Sequence, residues 1–214
     1  RIGHLKLAGL ALALGCLGTA SPAAAALNHA TIEKEFSPGS NCTSVTDLAV
    51  LESTGSVYVA CSPASGSSAP RTIRKFDLDG NPVAFASSGA PGVAGNQIFA
   101  SPRNPGGAVG TQIAVDNSPL HNGYLYVVSG PRFDSGAGLG VDIYSPGGDW
   151  LDYIPITRVF SPTKTDVDVG PEGHAYVIEA GTREGASHIT EYGPGFEEVK
   201  RAYTLLSGRH LAVD

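Results

Sequence analysis

One pattern recurs three times along this chain, and it limits the possible folds more than any other feature. Each copy begins with an apolar strand, a turn and a Tyr-centred strand. The pairs are Leu48-Ala49-Val50 with Val57-Tyr58-Val59, Ile113-Ala114-Val115 with Leu125-Tyr126-Val127, and Val167-Asp168-Val169 with Ala175-Tyr176-Val177. A second signature follows each pair: IRKFDLDG from position 73, VDIYSPGG from 141 and ITEYGPGF from 189. A fourth copy opens at Leu211-Ala212-Val213. Self-similarity on this scale means stacked supersecondary units, each unable to bury its apolar surface alone.

Within the second copy, Ile113 to Asp116 alternates as a strand should, and Asn117 to Gly123 carries turn residues. Tyr124 to Val128 is aromatic and β-branched, Val141 to Tyr144 forms a third strand, and Trp150 to Ile154 a fourth after the Ser145-Pro146-Gly147-Gly148 turn. In the first copy Thr72 to Leu78 reads as the third strand and Val83-Ala84-Phe85 as the fourth; in the third copy Val199 to Leu205 closes the unit. The first two strands of each unit are apolar at successive positions, which suits strands buried on both faces.

Composition agrees. Gly (28) and Pro (15) are too frequent for a helical protein of 214 residues, and the periodicity is too regular for disorder. First strands are spaced 65 residues apart (Leu48 to Ile113), then 54 (to Val167), then 44 (to Leu211). The shortest spacing is one four-stranded propeller blade of about 40–50 residues. The excess reads as loop insertions at Ser62 to Arg71 and Ser87 to Gln112. Radial stacking buries both faces of such sheets, so the expected fold is all-β: a β-propeller of four-stranded antiparallel blades. The expected divisions are a segment at 27–46, blades at 47–111, 112–165 and 166–209, and the start of another blade at 210–214.

The order Ile-Ala-Val-Asp, turn Gly, Tyr-Val, then an Ile-x-x-Phe/Tyr strand with a Gly turn resembles the NHL repeat of six-bladed propellers. The stretch Phe85 to Gly89 with Gly92 and Gly95, running into Gln112 to Asp116, is similar to the Gly-rich link between blades of that family. The resemblance covers residues 33–214. Asp116 and Asp214 match the family's first-strand Asp, whereas Leu51 and Gly170 depart from it. Residues 33–40 (EKEFSPGS) also resemble the third-strand motif. The resemblance implies about half of a ring and a binding or interaction scaffold whose loops take a protein or glycan ligand. Related propellers include metal-dependent lyases and lactonases, so the alternative is a secreted hydrolase or lyase with a metal in the central channel.

The first residues follow a different logic. Arg1, His4 and Lys6 precede an apolar run from Leu7 to Leu17, and Ala23 to Ala26 supplies an Ala-x-Ala exit. This is the plan of a secretory signal peptide over 1–26; the run is too short to span a bilayer, which needs about 20 apolar residues. Gly15-Cys16 leaves a lipoprotein signal as an alternative. The expected location is therefore secreted or in the cell envelope, with no membrane span after cleavage. The chain starts on Arg and contains no Met, and it stops inside a repeat, so it is read as a fragment.

With Cys16 removed, Cys42 and Cys61 remain in an oxidising compartment. They fall at neighbouring ends of one antiparallel hairpin, where a disulfide is geometrically natural. A metal site there would need further ligands at suitable spacing.

Other chemistry is sparse. A net charge of −6 with scattered basic residues excludes nucleic acid as a partner. No catalytic, cofactor-binding or metal-binding residue is assigned. His29, His121, His174, His188 and His210 form no metal-ligand spacing, although His210 precedes a first strand and could face a channel. Asp166, Asp168 and Glu172 could suit Ca²⁺, but Asp in such places commonly accepts backbone N–H groups. Asp77 and Asp79 read as turn chemistry. Gly136 to Gly140 lacks the helix and Lys of a phosphate loop, and no Gly-x-Ser-x-Gly elbow occurs. Tyr58, Tyr126 and Tyr176 hold one repeat position and are expected in the core. Asn41-Cys42-Thr43 matches a glycosylation sequon. A half ring leaves a sheet face uncovered at each end, so the chain expressed alone is expected to aggregate or unfold without cooperativity; sharp two-state melting of a monomer in scanning calorimetry would contradict this.

Overall fold

The alternation seen in the sequence becomes three antiparallel sheets stacked face to face. The computed structural model describes residues 36–100, 112–129, 140–156, 165–179, 187–204 and 211–213. Sheet 1 contains β1 (Ser44–Leu51), β2 (Ser56–Ser62), β3 (Thr72–Phe76), β4 (Val93–Ala94) and β5 (Gln97–Ile98), in the order β1-β2-β3-β5-β4. Sheet 2 is the meander β6 (Ile113–Val115), β7 (Leu125–Ser129), β8 (Gly140–Tyr144) and β9 (Trp150–Pro155). Sheet 3 repeats it with β10 (Thr165–Val169), β11 (Ala175–Glu179), β12 (Ser187–Tyr192) and β13 (Glu198–Thr204). Among the described residues there is no helix.

Sheet 2 shows why its strands are apolar at every position. Side chains alternate across a strand, so neighbours in sequence face opposite sheets. Ile113, Val115, Leu125, Val127 and Tyr144 pack with Tyr58, Ala60, Ile73, Phe85 and Ile98 of sheet 1. Their neighbours Ala114, Tyr126, Val128, Val141 and Ile143 pack with Val167, Ala175, Val177 and Tyr192 of sheet 3. Fully burying one such side chain contributes roughly 1.5–3 kcal/mol, so these two layers dominate the stability. Between sheets 1 and 2, burial pushes the Tyr58 phenol up to about 12. The Lys75 ammonium lies 5.7 Å from the Tyr58 ring and 5.6 Å from that of Phe85, and donates to the Pro146 carbonyl at 3.3 Å.

Three expectations need correction. The fourth strand of the first unit is not Val83-Ala84-Phe85. Phe85 instead turns its ring into the interface with sheet 2, 2% exposed, while its N–H donates to the Gly95 carbonyl. The outer strands are supplied by β5, paired to β3, and by β4, which lie inside the stretch read as a loop insertion. Positive φ at Gly92 (82°) and Gly95 (56°) folds that stretch back on itself. β1 is not buried on both faces either, since Val45, Leu48 and Val50 are 49%, 59% and 37% exposed. Sheet 2 covers only one face of sheet 1, and on the other the described residues provide little beyond Phe36, whose ring lies tilted against Phe76 at 5.0 Å. Tyr58 and Tyr126 are core residues, but Tyr176 is half-buried because it points away from sheet 2, toward the far face of sheet 3.

Smaller points concern the start of the unit. Residues 36–40, read as a remnant of a third-strand motif, form no strand; Arg74 reaches them by donating to the Pro38 carbonyl. β1 begins at Ser44 rather than 47, with a bulge between Val45 and Asp47. The signal segment, Cys16, His29, His210, Asp214 and residues 136–139 lie outside the described residues.

Cys42 and Cys61 form a disulfide with Cα atoms 5.0 Å apart. Val45 pairs with Cys61 in the ladder, and the Thr43 N–H donates to Ser62 at 3.1 Å, so the hairpin brings the cysteines together. The bridge joins residues 19 apart. Replacing both by Ala is expected to lower the unfolding free energy by about 3 kcal/mol, measured by urea titration of the oxidised wild type and the variant.

Candidate functional site

Among the described residues, polar groups gather at the first strands, on the far face of sheet 3, and in the layer between sheets 2 and 3.

The first strands are joined by carboxylates. Asp47 accepts the N–H of Leu48 at one oxygen and the N–H of Ile113, in the next sheet, at the other, both at 2.8 Å. Sheet 3 repeats the device twice. Asp166 accepts from Val167 (3.0 Å) and Leu211 (2.7 Å), and Asp168 from Val169 (2.9 Å) and Val213 (2.7 Å). Asp47 thus bridges β1 to β6 of the next sheet, and Asp166 and Asp168 bridge β10 to residues 211–213, which form no strand. The expected role for Asp166 and Asp168 as acceptors of backbone N–H groups holds, and calcium binding there would have to displace those bonds. Glu172 stands apart, exposed in the turn before β11. Asp77 likewise accepts from Asp79 and Asn81 at 2.8 Å each, as turn chemistry requires.

On the far face of sheet 3, Gly170, Pro171, Glu172, His174, Tyr176 and Val213 line an open cleft of about 260 Å³. His174 Nδ1 lies 2.7 Å from Glu191 Oε1, both side chains about a quarter exposed. Burial, then the neighbouring Glu191 and Glu172 carboxylates, pushes the Tyr176 phenol up. Acidic and aromatic, this cleft suits a cation or a hydrogen-bond donor. None of its lining residues is a Ser or Cys that His174 could activate.

The third place was readable but passed over. Ala175, Val177 and Glu179 share one face of β11, so the period of two puts a carboxyl into the apolar layer against sheet 2. Glu179 is 2% exposed, with Thr190 Oγ1 donating at 3.5 Å and Arg201 Nε reaching that hydroxyl at 3.2 Å. Burial pushes its carboxyl up, against the pull of Arg201 and His188. In sheet 2 the comparable buried carboxylate, Asp142, is better satisfied, accepting from Ser129 Oγ and from Trp150 Nε1 (3.2 Å).

No family model matches the chain, and no curated protein matches it. Among solved structures, the chain is similar to one titled "Crystal structure of the eukaryotic initiation factor", with 11% identity and a TM-score of 0.34. The match covers 70% of this chain but only 41% of that one. So distant a likeness carries no argument about function.

The Glu179 environment sets a pH dependence. A carboxyl raised in the folded state holds its proton more tightly there than in the unfolded chain. Its stabilising effect is complete below the ordinary carboxyl range and is lost as pH rises through the raised value. Glu179→Gln is expected to remove that loss, so the variant's melting temperature overtakes that of the wild type on going from pH 4 upward in a differential scanning fluorimetry series. Parallel curves would show that Glu179 titrates alike in both states.

Proposed function

We propose that these sheets are consecutive blades of an exported, six-bladed, NHL-like β-propeller that acts as a non-catalytic scaffold, with its loops binding a protein or glycan. The observation that carries this reading is the use of the carboxylates. Asp47, Asp166 and Asp168 give both oxygens to backbone N–H groups of the first strands, so the chemistry most available for a central metal is occupied in stacking one sheet on the next. The same joint links sheet 1 to sheet 2 and sheet 3 to residues 211–213, which supports a ring-building role. The disulfide suits an oxidising compartment outside the cytoplasm. Among the described residues, no helix is long and apolar enough to cross a membrane.

Loops supply the binding surface. The Gly- and Ser-rich connection from Pro63 to Arg71, between β2 and β3, has no strand structure. Loops of this kind, held at sheet ends by a rigid stack, are the usual carriers of recognition.

Elemental analysis of the purified exported protein is expected to find no stoichiometric transition metal or calcium, and chelator is expected to leave the melting temperature unchanged. One tightly held metal per chain, with a chelator-dependent loss of stability, would overturn the non-catalytic reading in favour of a channel-sited hydrolase or lyase.

A further inference from the structure

The loop between β6 and β7 ties the three sheets together at one end. Toward sheet 1, Asn117 accepts the Glu52 N–H at 2.9 Å and donates to the Val50 carbonyl at 3.1 Å, while Asn122 accepts from Ser53 Oγ at 3.1 Å. Toward sheet 3, Ser118 Oγ and Leu120 lie against Gly173, and the His121 ring is 6.0 Å from that of Phe196. The loop's own backbone is closed by Gly123 N–H to the Asp116 carbonyl (2.7 Å) and Tyr124 N–H to the His121 carbonyl (2.8 Å).

At its base sits an incomplete polar pair. Asp116 is fully buried; its Oδ1 accepts the Ser118 N–H at 2.7 Å, but Oδ2 makes no hydrogen bond. His121 Nδ1 is also buried without a hydrogen bond, and stands 3.8 Å from that oxygen. A buried carboxylate oxygen without a donor is destabilising. The gap exceeds a hydrogen bond by less than one ångström. The His121 ring stacks on Tyr124 at 4.8 Å, an arrangement that accepts a cationic imidazole, and its 22% exposure lets protons exchange with solvent.

We infer that Asp116 and His121 form a proton-operated latch: uptake of a solvent proton by His121 draws Nδ1–H onto Asp116 Oδ2 and locks the β6–β7 loop against both neighbouring sheets. Other titratable groups around the ring are already engaged or peripheral. On the same strand pair, Tyr124 stacks on the ring, and burial, then the neighbouring Asp116, pushes the Tyr126 phenol up. From sheet 3, Glu172 and His174 flank Gly173, with His174 held by Glu191; the Glu197 carboxylate beside Phe196 lies over the Gly193 and Gly195 backbone of its own turn. From sheet 1, Glu52 approaches through its N–H. The latch closes as pH falls and opens as pH rises.

Melting temperatures of the wild type and of His121→Gln, Asp116→Asn and the double variant, measured from pH 8 to pH 5.5, test this. The wild type is expected to gain about 2–4 °C over His121→Gln at the acid end, where one proton-linked bond has formed, with no such gain in the Asp116→Asn background. Parallel pH profiles in all four proteins would overturn the latch. Should His121→Gln fail to fold, the imidazole titration followed by NMR in wild type and Asp116→Asn decides instead. A lower midpoint in Asp116→Asn supports the latch and an unchanged midpoint overturns it.

Discussion

Everything in this structure depends on sheet 2 being covered on both faces at once. A four-stranded sheet cannot bury two apolar faces by itself, so Ile113 and Val115 need sheet 1 just as Ala114 and Tyr126 need sheet 3. The same demand explains the ends of the stack. Where no further sheet follows among the described residues, Leu48 and Val50 stay open on β1, and Tyr176 is only half covered on β11. The stacking rule is thus a property of the unit, repeated wherever a neighbour is present.

Apolar burial is non-directional and does not by itself set how one first strand meets the next. Direction comes from the carboxylates. With one oxygen on its own strand and one on the next segment of the stack, β6 for Asp47 and residues 211–213 for Asp166 and Asp168, each carboxylate fixes where that segment sits. Charge-assisted bonds of this kind are stronger than neutral ones, and they satisfy N–H groups at sheet edges that lack a strand partner. Buried Glu179 shows the cost of a carboxyl on such a face without a matching N–H.

The unit of repetition was legible because its signals are local. Tyr-Val strands, Gly turns and the Val-Asp-Ile-Tyr type of third strand each depend on a few adjacent residues, and they fall where the strands are found. The Cys42–Cys61 bridge was legible for the same reason, since both cysteines belong to one hairpin. Sheet 1 shows the limit. Val83 to Phe85 has strand composition, but tertiary contact with Gly148 and Tyr58 draws Phe85 inward and hands the outer position to the Gly-rich segment after it. Local preference for a strand is weak against burial of one aromatic ring.

By itself, the sequence determined the all-β class, the size of the unit, most strand positions and the hairpin that carries the disulfide, because hydrophobic period and turn chemistry act over a few residues. Only the tertiary structure decided which face of each strand is covered, which Asp oxygens bridge neighbouring first strands, and that Asp116 and His121 meet at the base of a loop touching three sheets. Apart from the Asp116–His121 pair, which lies within one loop, those outcomes join residues 45 to 69 positions apart, as Asp166 to Leu211 and Ser53 to Asn122 do, and no local pattern encodes contacts at that distance.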